Sequence, residues 1–345
     1  MKTSAKRSAS ITEESTAADV WREGRLEMQR FHRRDFGRLA VAGIGALATG
    51  RSAQAQQKPS LPPIKSTFNG VALGCNTYSL STLPLDDAIQ AIAGIGFGMA
   101  ELHPRHVEPS FGSGGSRGTG MPGGAPQTGA QKAGPAEARE KLRQWRLAVP
   151  LDQFAVTARK FKDAGLYLYA YNMNFSDDFT DAELERTFEM TQALGCSLIT
   201  AVGSNALFRR LDPFAQKHRI LIGLHNEGMI RSVADFENVA RGLSDYTKFT
   251  LDLGHFVANG GDPIAMLEKH HDRIVNVHIK DRKKDDGPNM PFGQGDTPIT
   301  QVLTMMRDRK YGIPGHIEWE IGAERDERIA AVRRCLEYCK QVLQS

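Results

Sequence analysis

The sequence predicts a single (β/α)8 barrel, because short apolar runs and longer amphipathic segments alternate eight times from Gly70 onward. Several amphipathic segments start on Asp or Ser and end at Gly, the residues preferred at the two ends of helices. A doubly wound open sheet is the alternative, but such sheets usually have fewer strands, and no GxGxxG turn follows the first predicted strand. These observations favour an α/β protein of the TIM-barrel type.

The predicted strands are short apolar runs, and the patterns LDDAIQAIAGI, LDQFAVTARKFKDAG, DAELERTFEMTQALG and SVADFENVARGL are typical of helices between them. The strands are Val71–Tyr78, Gly98–His103, Leu166–Tyr171, Ser197–Val202, Ile220–Leu224, Lys248–Leu253, Ile274–Ile279 and Gly315–Trp319. The barrel is therefore predicted to occupy residues 68–342, after a linker at 56–67.

The N-terminal region has the pattern of an export signal. Arg33 and Arg34 precede an apolar segment of small residues, Leu39–Thr49, and Ala53–Ala55 forms an A-x-A cleavage site. This pattern is typical of a twin-arginine signal, so residues 1–55 are interpreted as signal and leader. The apolar segment falls short of the ~20 residues that a membrane span needs. We therefore expect a periplasmic or secreted protein that uses the twin-arginine export machinery and is not stably inserted in the membrane after cleavage.

The net charge of +4 comes wholly from the leader, which carries ten Lys or Arg and six Asp or Glu. The rest of the chain holds 34 residues of each sign and is formally neutral. A neutral domain gives no electrostatic reason to expect binding of nucleic acid. The leader is long for a signal, and the true start is left open between Met1 and Met28.

One segment interrupts the alternation. Residues 107–140 are dominated by Gly, Ser, Pro and Ala and hold almost no bulky apolar residue. Such a composition buries too little surface to offset the entropy of ordering, so a flexible insertion with a disordered centre is predicted. It follows the second strand and would lie over the face of the barrel where active sites form. It either orders over a substrate or is an inert insertion, and the inert interpretation is favoured.

Polar residues follow the predicted strands at the barrel mouth. They are Glu101 and His103, then His225, Asn226 and Glu227, then Asp252 and His255, then His278, Lys280 and Asp281, and finally Glu318 and Glu320. One such histidine is usually structural, but imidazoles and carboxylates after four successive strands indicate a shared cation. This ligand set suits Mn, Fe, Co or Zn better than Ca, and Mg is less favoured.

The sequence LDLGHFVANGGDPIAMLEKHHDRIVNVHIKDR, followed by PFGQGDTPITQVLTMMRDRKYGIPGHIEWE, resembles the xylose-isomerase-like barrel superfamily, which includes sugar phosphate isomerases and epimerases. The resemblance is detailed in the C-terminal half and looser over the rest of the barrel. The D-x-G-H, V-H-x-K-D, G-x-G and E motifs are specific for the superfamily but do not name a substrate. Barrels of this group often pair, and the sequence leaves monomer and homodimer open.

The resemblance places metal ligands at Asp252, His278 and Glu318. Many members have a glutamate ligand in the sequence L-E-N-H after the fifth strand, where this chain has Leu224-His225-Asn226-Glu227. His225 is favoured as the fourth ligand, with Glu227 near it or acting as a base. Glu320 is expected to point away from the barrel.

The resemblance implies a metal-dependent isomerase or epimerase that acts on a sugar through an enediolate, with carboxylates moving the proton. Candidate catalytic residues are Glu318, Glu227 and His225, and candidate substrate-binding residues are Glu101, His103, Asn172, His255 and Lys280. No phosphate loop or arginine cluster is evident, and an exported enzyme is unsuited to sugar phosphates. A free sugar or a keto-glycoside is therefore the expected substrate.

Other functions stay open. With His225 replacing a glutamate, a site with one base also suits a lyase, which would eliminate from a 3-keto-glycoside or dehydrate a keto-sugar. A non-catalytic sugar-binding barrel is an alternative of another class. An endonuclease IV-like phosphodiesterase is disfavoured, because it needs a basic face and the barrel is neutral.

Overall fold

The computed structural model of the protein describes residues 61–111, 134–227 and 230–345. The predicted signal and leader over residues 1–55, part of the predicted linker and the centre of the predicted insertion lie outside these ranges. Contacts divide the chain into Met1–Gln54 and Ala55–Ser345, and every described residue belongs to the second unit. No helix within the described ranges has the length and apolar character that crossing a membrane requires.

Eight parallel strands close into a barrel, which confirms the predicted fold. Each strand from β2 to β8 pairs with the next strand in chain order, and β9 closes the barrel by pairing with β2. Strand β1 is a short antiparallel addition to β2. The strands are β1 (Thr67–Phe68), β2 (Val71–Asn76), β3 (Met99–Leu102), β4 (Tyr167–Asn174), β5 (Leu198–Val202), β6 (Leu221–His225), β7 (Thr247–Asp252), β8 (Ile274–Ile279) and β9 (Gly315–Ile317).

Local sequence explains where the helices begin and end. Thr180 and Glu183 form a reciprocal capping box at the start of one helix, Ser204 and Ser232 cap two others, and Gly96 adopts a left-handed conformation after the first. The helices are α1 (Leu85–Ile95), α2 (Pro135–Ala148), α3 (Asp152–Asp163), α4 (Asp181–Ala193), α5 (Asn205–His218), α6 (Val233–Ala240), α7 (Leu253–Ala258), α8 (Pro263–His270), α9 (Ile299–Asp308) and α10 (Arg325–Gln344).

The insertion is shorter than predicted, because helix α2 begins at Pro135 and already occupies the last residues of the 107–140 segment. Residues 112–133 lie outside the described ranges. Helix α2 has few apolar residues. Its Trp145 packs against the core, and ion pairs make further contacts with the barrel. Arg139 and Arg143 donate to Glu183 of α4, and Arg146 makes two hydrogen bonds of 2.7 Å to Glu108.

The barrel interior contains a polar network near its centre. Nδ1 of His316 lies 2.7 Å from Oδ1 of Asn276, and the His316 ring stacks on Tyr169 with centroids 5.3 Å apart. Gly74 of β2 makes room for this imidazole, because a Cβ at that position would lie 2.5 Å from the His316 ring. This network supports the layer of side chains above it, at the carboxyl ends of the strands.

Candidate metal centre and active site

Four buried side chains converge at the carboxyl ends of consecutive strands. His225 ends β6, Asp252 ends β7, His278 lies one residue before the end of β8, and Glu318 follows β9. One ligand atom from each lies within 4.8 Å of the other three. Nε2 of His225 is 3.2 Å from Nδ1 of His278 and 3.5 Å from Oδ2 of Asp252. Nδ1 of His278 is 3.4 Å from Oε2 of Glu318.

These spacings fit one divalent ion. Ligand atoms placed tetrahedrally at about 2.1 Å from an ion lie about 3.4 Å from one another. Oδ2 of Asp252 is wholly buried and has no hydrogen-bond partner among the described residues, although Nζ of Lys280 lies 3.2 Å away. A buried carboxylate oxygen is costly unless a cation or donor satisfies it. The donor set of two imidazoles and two carboxylates is one that a divalent transition metal accepts.

Asp252 is held by its neighbours so that one oxygen remains available. The amide group of Asn226 donates to the carbonyl of Asp252 at 2.9 Å and accepts from its backbone N–H at 2.7 Å. Oδ1 of Asp252 accepts the backbone N–H of His255 at 2.7 Å, which caps helix α7. Oδ2 is therefore the oxygen left for an ion.

Glu101 supports His278 and does not line the cavity, so its predicted role in substrate binding does not fit its position. Its carboxylate is completely buried and lies 2.8 Å from Nε2 of His278. It also accepts from Nδ2 of Asn276 at 2.8 Å and from Nδ2 of Asn172 at 3.2 Å. The second nitrogen of a metal-binding imidazole is commonly held by a carboxylate in this way. Glu101 thus orients His278 and leaves Nδ1 for the ion.

The contact between Glu101 and His278 shifts the pKa of both groups. Burial alone would raise the pKa of Glu101, but His278 outweighs that effect and the pKa falls to about 2. Burial alone would lower the pKa of His278, but Glu101 and Glu318 raise it well above its usual value. These two carboxylates favour the protonated ring, and an ion at Nδ1 would require that this nitrogen carry no proton.

Lys280 lies beside the ligands as a buried cation. Its Nζ is 3.2 Å from Asp252, 3.0 Å from Glu318 and 3.0 Å from Oε1 of Glu320. Burial would lower the pKa of Lys280, but these carboxylates raise it above its ordinary value, so the ammonium stays charged. Asp281, the residue after Lys280, accepts backbone N–H groups of the loop after β8.

A cavity of about 680 Å³ opens above these side chains. Of the predicted substrate-binding residues, His103, Asn172, His255 and Lys280 line it, as do the catalytic candidates His225, Glu227 and Glu318.

The expectation that Glu320 leaves the barrel is wrong, since it lines the cavity and accepts from Nδ2 of Asn289 at 3.1 Å. Glu318 and Glu320 therefore both face the cavity, although β9 ends at Ile317.

The opposite cavity wall holds arginines that the linear sequence does not bring together. Arg139 and Arg146 come from α2, and Arg105 comes from the turn after β3. Both α2 arginines are paired with carboxylates, since Arg139 contacts Glu183 and Arg146 contacts Glu108. The arginine cluster is therefore largely neutralised within the wall itself.

Fold and site together define a (β/α)8 barrel with a two-histidine, two-carboxylate centre at its mouth. The sequence model described as xylose isomerase-like TIM barrel matches residues 136–342, and the chain belongs to that family. A comparison with curated proteins finds no match.

Solved structures of similar fold include enzymes of several kinds. A probable 3-DHS dehydratase, AsbF from Bacillus anthracis, is 13% identical with a TM-score of 0.56 and covers 77% of this chain and 99% of its own. A D-psicose 3-epimerase is 14% identical with a TM-score of 0.53, covering 80% and 100%. The IolI protein with a bound zinc atom is 15% identical with a TM-score of 0.55, covering 79% and 98%. At such low sequence identity, these structural similarities show a shared fold alone.

Proposed function

We propose that the protein is a metal-dependent isomerase or epimerase that acts on a free sugar or keto-sugar through an enediolate. The observation that carries the proposal is the four-ligand cluster of His225, Asp252, His278 and Glu318 at the floor of a cavity of about 680 Å³. The ion would be one of Mn, Fe, Co or Zn. The zinc atom in the IolI structure and the sugar chemistry of D-psicose 3-epimerase support this choice.

The four ligands would hold the ion, which, when bound, would polarise a substrate carbonyl and make the adjacent C–H more acidic. Lys280 supplies a fixed positive charge next to the ligands, and an oxygen that gains negative charge would be stabilised by it. Because Lys280 is buried and held by carboxylates, little reorganisation is needed when that charge develops.

Carboxylates that are not needed as ligands are available to move the proton. Glu227 and Glu320 both line the cavity and lie outside the four-ligand cluster. One would remove the proton next to the carbonyl, and return of a proton at the neighbouring carbon or on the other face would give isomerisation or epimerisation. Glu318, with one oxygen facing the cluster, is the third candidate base.

An uncharged substrate is supported by the cavity wall. The carboxylates of Glu183 and Glu108 neutralise Arg139 and Arg146, so this wall offers little excess charge for a phosphate group. Hydroxyl groups of a free sugar would instead find amide and imidazole partners in Asn172, His103 and His255.

A lyase is the second candidate, and His225 is the observation that favours it. With imidazole replacing a carboxylate at the end of β6, the cluster holds a single glutamate and loses the symmetry of a two-glutamate exchange. In elimination, a carboxylate takes the C–H proton and the electron pair forms a C=C bond. The C–O bond breaks with its electron pair on the leaving oxygen, which takes the proton from the carboxylic acid so formed. The likeness to a probable dehydratase is in keeping with this chemistry.

The test is incubation of the full chain in D2O with each metal in turn and a panel of aldoses, ketoses and 3-keto-glycosides, followed by proton NMR. Deuterium incorporation beside the carbonyl together with a new sugar supports an isomerase or epimerase. A conjugated enone that absorbs ultraviolet light supports a lyase. Glu318→Gln should abolish either activity, and Glu227→Gln and Glu320→Gln should identify the base.

If no metal supports exchange or elimination but the protein binds sugar measurably, the proposed enzyme activity is wrong and a sugar-binding barrel is left. Isothermal titration with the same sugars separates that outcome from an inactive preparation. Retained activity in metal-free protein would contradict the role of the ion.

We also propose that the protein is exported by the twin-arginine route to the periplasm or beyond. The support is the Arg33–Arg34 pair and the following apolar segment. Replacing both arginines by lysine should keep the protein in the cytoplasm, as measured by cell fractionation. Unchanged export of that variant would contradict the proposal.

A further inference from the structure

The loop after β8 places a guanidinium against a histidine of the candidate site. Nη1 of Arg282 lies 2.9 Å from Nδ1 of His255. The rest of the guanidinium is held by the loop, because Nε and Nη2 donate to the carbonyl of Gly287 at 3.1 and 2.8 Å, and Nη2 also contacts Asp286. The arginine is therefore fixed from the side opposite to His255.

The loop itself is anchored, so the arginine has little freedom. The backbone N–H of Arg282 donates to Oγ1 of Thr297 at 3.1 Å, and its carbonyl accepts from the N–H of Asp296 at 2.8 Å. Asp281, one residue earlier, accepts the backbone N–H groups of Gly293 and Gly295 at 2.8 and 3.0 Å. These contacts hold both ends of the loop from 281 to 297.

The chemistry of the contact settles the proton on the histidine. A guanidinium has only donors and does not lose its proton in proteins, so Nδ1 of His255 must accept. A ring that accepts at Nδ1 is neutral and carries its proton on Nε2. Among the described residues, no hydrogen bond satisfies that Nε2–H.

His255 lies where such a donor would meet a substrate. It lines the cavity together with Lys280 and Glu318, and its ring is edge-to-face with the ligand His225 at 5.8 Å. Its backbone is fixed to Oδ1 of Asp252. The imidazole is therefore held on the metal side of the cavity by two independent contacts.

We infer that Arg282 is a positioning residue that fixes His255 as the Nε2–H tautomer, and that this N–H donates to a sugar oxygen beside Lys280. The assignment of the sugar rests on the proposed function, whereas the tautomer does not. A neutral imidazole that donates can stabilise an oxygen as it becomes negative without giving up a proton. His255 would thus donate to a developing oxyanion that lies next to the fixed positive charge of Lys280.

The experiment is nitrogen-15 NMR of the histidine rings in the full chain with zinc bound, which leaves the spectra diamagnetic. His255→Gln identifies the signals. In the parent, Nδ1 of His255 should appear as unprotonated and Nε2 as protonated. In Arg282→Met the two nitrogens should show a mixture of tautomers, while Arg282→Lys, with a single compact donor, should restore the parent pattern in part.

Lys283→Met is the matched control, because Lys283 is the next residue and pairs with Asp296 at the surface. It should leave the His255 signals unchanged. A protonated Nδ1 in the parent, or an unchanged tautomer in Arg282→Met, would overturn the inference. Circular dichroism checks that the variants fold. If Arg282→Met does not fold, the tautomer of His255 in the parent and in Arg282→Lys decides the inference.

A second readout separates this inference from the proposed function. If the sugar reaction is found, Arg282→Met should lower kcat/KM by about 10- to 100-fold, mainly through kcat, since the hydrogen bond strengthens as charge develops. A loss confined to KM would contradict the oxyanion role. If no sugar reacts but the tautomer is as expected, the proposed function fails and the role of Arg282 on His255 stands.

Discussion

At the scale of single residues, Glu101 shows how much of the site depends on a side chain that never reaches the cavity. Its buried carboxylate holds His278, Asn276 and Asn172 at once. Glu101→Gln removes the charge and replaces one of the two accepting oxygens with an NH2 group that faces a donor, so the orientation of His278 should be lost in part. We expect metal affinity to fall by about 10- to 100-fold, measured by competition with a chromophoric chelator.

Glu227→Gln is the control for that titration, since Glu227 lines the cavity but lies outside the ligand cluster. Its metal affinity should match that of the parent. A large loss in Glu227→Gln with none in His225→Ala would make Glu227 the fourth ligand in place of His225.

His106, away from the metal cluster, should contribute to the loss of stability in acid. Burial lowers its pKa to about 4, with Arg105 lowering it further against the backbone carbonyls of Leu80 and Leu83, which raise it. In the unfolded chain a histidine has a pKa of about 6.5. As pH falls from about 6.5 to 4, the unfolded chain takes up a proton that the folded protein does not, so the free energy of unfolding falls across that window.

The expected contribution of His106 is about 2 kcal/mol between about pH 7 and pH 5. Urea unfolding with a chelator present, at both pH values, should show a smaller change in His106→Gln than in the parent. An identical pH dependence in the two proteins would contradict the assignment of this pKa to His106.

At the scale of elements, helix α2 is attached by charge to one buried carboxylate. Glu183, on α4, accepts from Arg139 and Arg143 and also closes the capping box with Thr180. Removing one partner of a buried charge network leaves the others uncompensated. Glu183→Gln should therefore lower the free energy of unfolding by about 3 kcal/mol, as measured by urea unfolding.

Glu185→Gln is the matched control on the same helix, because Glu185 is partly exposed and pairs with Lys217 and His218 near the surface. We expect a change of less than about 1 kcal/mol there. Equal effects of the two substitutions would show that the network on Glu183 adds nothing beyond an ordinary surface pair.

Sequence periodicity was sufficient for the barrel but not for α2. All eight predicted barrel strands are confirmed, and Ile274–Ile279 and the helix Leu85–Ile95 match the structure residue for residue. These segments are set by burial of apolar faces, which leaves a clear period in the sequence. Helix α2 has only a narrow apolar contact through Trp145, and its arginines pair with carboxylates far along the chain, which no local pattern reveals.

The same distinction applies within the site. Strand ends predicted which polar residues would meet, because parallel strands bring their carboxyl ends to one face. The choice of four candidate ligands among them came from the resemblance to the family. The support of His278 by Glu101 and the pairing of Lys280 with Glu320 join residues on different strands at particular heights in the barrel. Those heights depend on strand register, including the irregularity between Ala100 and Glu101, which periodicity does not encode.

At the scale of the whole molecule, an ion that binds the folded chain alone should stabilise it. At a free concentration about a thousand times the dissociation constant, the gain is about 4 kcal/mol, or roughly 8 °C in melting temperature for a domain of this size. Thermal unfolding with and without Mn, Co, Zn or Fe measures it, and elemental analysis gives the stoichiometry. His225→Ala and Glu318→Ala should lose both the ion and the shift.

An unchanged melting temperature for the parent, with no ion retained after reconstitution, would contradict the metal centre. A shift that survives in both variants would place the ion elsewhere in the chain. Loss in Glu318→Ala alone would leave His225 as a catalytic candidate instead of a ligand.

The bidentate contact between Glu108 and Arg146 has a consequence for the variability of the chain. It joins the residues before and after 112–133 through two hydrogen bonds of 2.7 Å. The sequence predicts a flexible insertion between them, and halving or doubling a flexible loop changes its closure entropy by only about 0.6 kcal/mol. Because the Glu108–Arg146 ion pair joins the two sides, we expect that a small reporter domain can be inserted between residues 112 and 133 without changing the cavity wall. The melting temperature and metal content of such a fusion, compared with those of the parent, would measure how far the insertion disturbs the barrel.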